Sequence, residues 1–195
     1  GEMYQHLKSV RELRSKSGDL ESFLKSLHMK VRVSSVSEEN LSRLAQMTQK
    51  TNQFNLSSKR YAPGDIRGLA QNINFRFFVF SLEDVFGDSG ICGLAIVERL
   101  EREFVLDTFL MSCRVIGRRL ESFMISYILN SLKKEGCALL IGTYYWSKKN
   151  SVIKDFMDTY FEVMKRKNGD EEVTYNISGD KLKVDGIFEL EKVVV

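Results

Sequence analysis

Apolar residues recur at steps of three and four in some stretches of the chain and at every second position in others, and the change of period marks out the elements. Leu7, Val10 and Leu13, then Leu20, Phe23, Leu24 and Leu27, follow the helical step on either side of Ser17-Gly18-Asp19, which predicts two short helices. Met29, Val31 and Val33 alternate with Lys30, Arg32 and Ser34 as in a half-buried strand, and Ser37-Glu38-Glu39-Asn40 opens a helix with Leu41, Leu44 and Ala45 on one face. A polar loop from Thr51 to Leu56 leads to Pro63, whose fixed φ suits the first turn of a short helix ending near Gln71. Phe75–Leu82, Ile91–Val97 and Phe104–Met111 read as three strands, antiparallel because their connections are too short for a crossover helix. Leu120, Phe123, Met124, Tyr127, Ile128 and Leu132 then lie on one helical face, with Gly136 at the expected stop. Ala138–Tyr145 reads as a strand, Asn150–Tyr160 as a helix, Asn168-Gly169 as a turn, and Val173–Ile177 and Gly186 onward as closing strands. This order predicts an α/β (α+β) domain: one central mixed sheet with helices on its faces.

Composition narrows the class. With 195 residues, 43% apolar and 28% charged, the chain suits one folded domain, and disorder or low complexity is excluded. No apolar run approaches the roughly 18 residues of a membrane helix, and the start lacks the apolar stretch of a secretory signal. Gly1 ahead of a mid-protein-like sequence suggests a piece of a longer polypeptide, with residues 1–28 a helical linker and 29–195 the domain. Cys92, Cys113 and Cys137 have no paired spacing, which fits reduced thiols and a cytoplasmic location. His6 and His28 lack clustered partners, so no metal is expected. The net charge of +3 argues against nucleic acid. Between Asn40 and Phe80, however, Arg43, Lys50, Lys59, Arg60, Arg67 and Arg76 face only one acid, Asp65. That stretch is either a docking face for a phosphate or an acidic partner, or simply a solvated face.

Candidate chemistry centres on the passage from the third strand into the long helix, Ser112 to Leu120. A glycine-containing bend feeding a helix N-terminus offers unpaired N–H groups and the positive dipole end, and Arg114, Arg118 and Arg119 add charge. An arginine-rich helix start without a ligand is the competing reading. Arg114, Gly117 and Arg119 fall on the fixed positions of R-x-x-G-x-G/A, which resembles the pyrophosphate motif of GNAT-type N-acetyltransferases, with arginine standing at the third position. The resemblance implies a GNAT-like, mostly antiparallel sheet and binding of acetyl-CoA, CoA or phosphopantetheine at Arg114, Gly117, Arg118 and Arg119.

A narrower resemblance rests on several segments together. Thr51-Asn52-Gln53-Phe54-Asn55-Leu56-Ser57-Ser58-Lys59-Arg60-Tyr61, the run from Asp107 to Arg118, and Lys149-Asn150-Ser151-Val152 followed by Phe156 and Phe161 resemble the C-terminal GNAT-like domain of FkbH-like proteins. Those proteins, of HAD superfamily subfamily IIIC, join this domain to a HAD-type phosphatase domain, and some move a glyceryl unit from a phosphorylated glycerate to an acyl carrier protein in polyketide or related biosynthesis. The HAD nucleophile pattern D-x-D does not occur in these residues. The resemblance therefore points to thioester handling, with an acyl carrier protein and a HAD-type domain of the same full-length chain as partners, and no nucleic acid or membrane.

Thioester transfer needs an oriented acceptor, a proton acceptor and support for the oxyanion. Asp107, sharing parity with Val105, Phe109 and Met111, is a candidate base or else a structural acceptor for Asn52 or Thr51. The family resemblance suggests Tyr160, with Tyr144 second, as proton donor to the leaving thiolate; core packing explains Tyr160 too. It also suggests Asn150 as a pantetheine holder, a place that a helix N-cap explains equally well. Thr51, Asn52, Gln53 and Asn55 are the candidate substrate-binding residues. Two functions stay open: an acyltransferase, or a non-catalytic docking module for a carrier protein.

Overall fold

The computed structural model describes residues 19–191 together with Lys8, Ser9, Arg11 and Glu12. Helix α1 (Leu20–Ser26) starts where the Asp19 carboxylate accepts the Ser22 N–H at 2.7 Å. Leu24 and Leu27 are fully buried in the same cluster as Val31 and Phe80, so α1 packs into the core. The other short helix expected before it lies largely outside the described residues.

The remaining elements follow the expected order with one addition, β6: β1 (Met29–Ser34), α2 (Leu41–Lys50), α3 (Pro63–Gln71), β2 (Phe75–Asp84), β3 (Gly87–Arg99), β4 (Phe104–Met111), α4 (Leu120–Lys133), β5 (Leu140–Tyr145), α5 (Ser151–Tyr160), β6 (Glu162–Lys167), β7 (Glu172–Asn176) and β8 (Phe188–Glu191). They form an eight-stranded sheet in the order β6-β7-β5-β4-β3-β2-β1-β8. Only β1/β8 and β4/β5 are parallel, so the sheet is mixed and mostly antiparallel. Alternation along the strands supplies both faces. Phe77 and Val79 pack with Leu44, Met47 and Ile66 of α2 and α3, whereas Phe78 and Phe80 pack with Met124 and Ile128 of α4.

β6 was not visible in the apolar pattern. Its sequence Glu-Val-Met-Lys-Arg-Lys is nearly all exposed and becomes a strand only through pairing with β7. Charged residues suit such an edge, because they discourage pairing with other chains. β3 also runs longer than expected, from Gly87, where φ of 132° turns the hairpin out of β2. Gly136 has φ of 80° just beyond α4, the left-handed exit that the sequence implies.

Candidate active site

β4 carries a bulge at the residue expected to do chemistry. Ile96 of β3 faces Thr108 while Val97 faces Leu106, which leaves Asp107 as the extra residue. Alternation is thereby reset: Leu106, Phe109 and Met111 all face the α4 side, and Leu110 faces the α2 side. Asp107 is buried, but its partners are not Asn52 or Thr51. The Lys59 ammonium pairs with it, the Tyr61 hydroxyl donates to it at 2.8 Å and the Thr108 hydroxyl at 2.9 Å. Burial, then the Asp107 carboxylate at hydrogen-bond distance, raises the Tyr61 phenol well above its usual value.

Beyond β4 the chain makes one 3₁₀ turn, Cys113–Val115, with the Ser112 hydroxyl accepting the Arg114 N–H at 3.4 Å. Gly117 follows at φ of 89°, and Arg119, the N-cap of α4, is left-handed at φ of 59°. A Cβ on Gly117 would meet open space, so the backbone there is accessible. The three arginines diverge. Arg114 is exposed, Arg118 is buried in an ion pair with Asp84 at 2.8 Å, and Arg119 is half-buried at the helix start. Asp84 also accepts the Phe86 N–H, so this pair ties the β2–β3 hairpin to the bend rather than offering Arg118 to a ligand. Glu121 folds back onto its own main-chain N–H in the first turn of α4. Burial raises its carboxyl above 4.5, and its Oε2 has no hydrogen-bond partner among the described residues.

The parallel pair β4/β5 holds register only from Phe104 opposite Leu140 to Leu106 opposite Gly142 and then splays. The crevice so formed, at the carboxyl ends of two parallel strands, is the place where open sheets generally receive ligands. Here Phe54–Leu56 occupies it. Leu56 N–H donates to Phe109 C=O at 2.9 Å, Met111 N–H to Phe54 C=O at 3.0 Å, and Tyr145 N–H to Leu56 C=O at 3.1 Å. Asn150 locks the insertion: its Nδ2 donates to the Asn55 and Tyr145 carbonyls, and its Oδ1 accepts from the Tyr144 hydroxyl and Ser147 N–H. Asn55 in turn donates to the Thr51 carbonyl and accepts the Ser58 N–H. Both asparagines are fully buried and hold this part of the chain together.

A groove of about 1170 Å³ opens beside this insertion. Thr51, Asn52 and Gln53 form one wall, and Met111 to Arg114 form the other. Arg43, Lys50, Arg114 and Lys149 line it, and no acidic residue does among the described residues. Thus three of the four candidate substrate-binding residues meet Arg114. Asp107 and Tyr160 do not line the groove, and Tyr160 packs its ring against Phe156 and Phe161. The exposed thiol of Cys113 does line it. The basic stretch seen in the sequence disperses instead of forming one face. Lys59 turns to Asp107, Arg60 to the Thr48 and Thr51 carbonyls and Asn52, Arg67 to Glu38, and Arg76 to Glu135, which leaves Arg43 and Lys50 at the groove.

Among the described residues no cluster of three or more histidine, cysteine or acidic side chains could hold a metal ion, and no helix is long and apolar enough to cross a membrane. Sequence reasoning missed the inserted segment, although Phe54 and Leu56 flanking Asn55 do carry a short period of two. It also missed Asp84 and Glu121, which carry no local signal.

No protein-family model matches the sequence, and no curated protein matches it in a sequence search. Solved structures are similar in fold. The ribosomal-protein-S18-alanine N-acetyltransferase of Escherichia coli superposes with a TM-score of 0.54 at 15% identity, over 79% of this chain and 99% of that one. A domain from Methanocaldococcus jannaschii gives 0.57 at 14%, over 76% and 98%. PaiA N-acetyltransferase from Thermoplasma acidophilum, in complex with coenzyme A, gives 0.52 at 12%, over 75% and 97%. The chain therefore has the fold of the GNAT acetyltransferases. Its sheet is theirs in kind, a mixed and mostly antiparallel one flanked by helices, as the R-x-x-G motif implied.

Proposed function

We propose that this chain is the acyltransferase-like domain of an FkbH-like protein, and that it handles an acyl or glyceryl thioester as that group is loaded onto the phosphopantetheine of an acyl carrier protein. One observation supports the reading above others. Parts of all three segments that carry the FkbH resemblance, Thr51 to Phe54, Met111 to Arg114 and Lys149, converge on one groove lined by four basic residues. A phosphodiester or an acidic carrier surface suits that charge, and the Thr51, Asn52 and Gln53 side chains supply the hydrogen-bonding groups that orient an acyl unit. Coenzyme A fits less well. The bend has room at Gly117 and an exposed Arg114, but the Glu121 carboxyl competes at the helix start, and the Phe54–Leu56 segment fills the crevice beyond. A HAD-type domain in the same full-length chain and a cytoplasmic setting belong to this proposal.

A docking module without catalysis is the second reading. It is favoured by the placement of Asp107 and Tyr160 away from the groove. Intact mass spectrometry of a carrier protein incubated with the complete polypeptide and acyl donors separates the two. Acyl transfer adds the acyl mass to the carrier, docking alone gives a complex by calorimetry without added mass, and neither signal rejects both.

A further inference from the structure

The Phe54–Leu56 segment does what a bound ligand would do in this crevice. An extended, amide-bearing molecule entering between two splayed strands gains its affinity from their unpaired main-chain groups, as a peptide does when it adds to a sheet edge. In this chain the groups in question are the Phe109 carbonyl and the Met111 and Tyr145 N–H groups, and all three already bond to Phe54 or Leu56. The side chains complete the closure. The Phe54 ring lies 5.7 Å from that of Phe109 and 5.8 Å from that of Phe156, and Phe54 and Leu56 are 2% and 0% exposed. Leu56 also rests on Gly142, where the strands part: a Cβ there would stand 3.1 Å from Leu56 Cδ2. A polar arm displacing this segment would have to replace two buried apolar side chains and release Asn55 and Asn150 from their internal bonds.

We infer that Phe54–Leu56 is a specificity-determining segment that shuts the β4–β5 crevice against an extended thioester arm, so that an arm ends in the basic groove at Phe54 and Met111 and coenzyme A is refused as an extended ligand. This rests on the thioester reading for its substrate class. It assigns Asn150 as the residue that positions the segment, not as a contact to the arm. Selectivity then falls to the carrier protein's own surface, because the arm alone finds few main-chain partners.

Amide hydrogen exchange of the chain, with and without millimolar coenzyme A or acetyl-CoA, tests this directly. The Leu56, Met111 and Tyr145 amides are expected to keep their protection in both cases. A loss of about ten-fold or more at the Leu56 amide with either compound would overturn the inference, because a displaced segment loses its bond to the Phe109 carbonyl, whereas an entering arm would pair the Met111 and Tyr145 N–H groups again. Asn150→Ala is the second arm. It is expected to speed exchange at Leu56 and Tyr145 by about ten-fold or more and to bring coenzyme A binding into calorimetric range. A folded Asn150→Ala protein with the faster exchange but no gain in coenzyme A binding would overturn the claim that the segment is the barrier. If that variant fails to fold, the wild-type exchange result decides. The thioester reading fails separately, by the absence of both complex and mass change with a carrier protein, whatever the exchange data show.

Discussion

A side chain at Gly142 would press on the buried ends of two neighbouring side chains. A Cβ there would stand 2.8 Å from Ile177 Cδ1 and 3.1 Å from Leu56 Cδ2. Gly142→Ala should therefore destabilise the protein by about 1–3 kcal/mol in urea unfolding, with part of the loss recovered in the Leu56→Ala background because the two sites are in contact. Arg119 makes the opposite case. Its φ of 59° strains any side-chain-bearing residue by roughly 1–2 kcal/mol, against which glycine loses about 0.5–1 kcal/mol through the unfolded chain. Arg119→Gly, which restores the small residue of the GNAT motif, should raise stability by about 0.5 kcal/mol. Glu121 adds a pH dependence. Burial raises its folded-state pKa above the ordinary 4.5, so the native state holds the proton longer and loses stability as pH rises from 4.5 through the raised value. Glu121→Gln should thus raise the Tm at pH 7, with the gain shrinking as the pH falls through the raised value towards 4.5 and gone below it. At this scale the sequence revealed which residues share the bend, since Arg114, Gly117 and Arg119 fall within one stretch of six residues. It did not reveal that Arg118 turns inward, because its partner Asp84 lies on another strand.

Among the elements, the helices were the most legible. The apolar face of α4 and the stop at Gly136 depend on local spacing alone, and the structure has both. Strands were less so, because a strand's neighbours are distant in sequence: β6 has no apolar alternation, and the bulge at Asp107 resets the parity on which its expected surroundings were based. The inserted Phe54–Leu56 segment reads locally as a polar loop and becomes part of the sheet only because β4 and β5 splay. The buried Asp84–Arg118 pair joins the β2–β3 hairpin to the bend before α4. Removing one partner, by Asp84→Asn or Arg118→Met, should cost about 3–5 kcal/mol, since the other charge is left buried. Replacing both, with Asp84→Leu and Arg118→Met, should recover most of that loss. A double-mutant cycle in chemical denaturation measures the coupling.

For the molecule as a whole, charge is the property most altered by folding. A net +3 and six basic residues between Asn40 and Phe80 could have made one basic face, yet most of those side chains turn to carboxylates and carbonyls of their own chain. The groove instead combines Arg43 and Lys50 with Arg114 and Lys149 from more than 60 positions further along. Lys50→Glu together with Lys149→Glu should slow association with an acidic carrier protein about ten-fold or more at low salt, with the difference narrowing as salt is added; stopped-flow binding measures this. What the sequence by itself determined is what depends on near neighbours: helix faces, strand alternation, turn glycines, the strand–bend–helix motif and the mixed α/β class. The tertiary structure alone decided which strands part, what fills the space between them, and which cations remain beside a ligand site. Those outcomes depend on contacts between residues far apart in the chain, where a buried N–H or charge must find its partner and no local pattern names it.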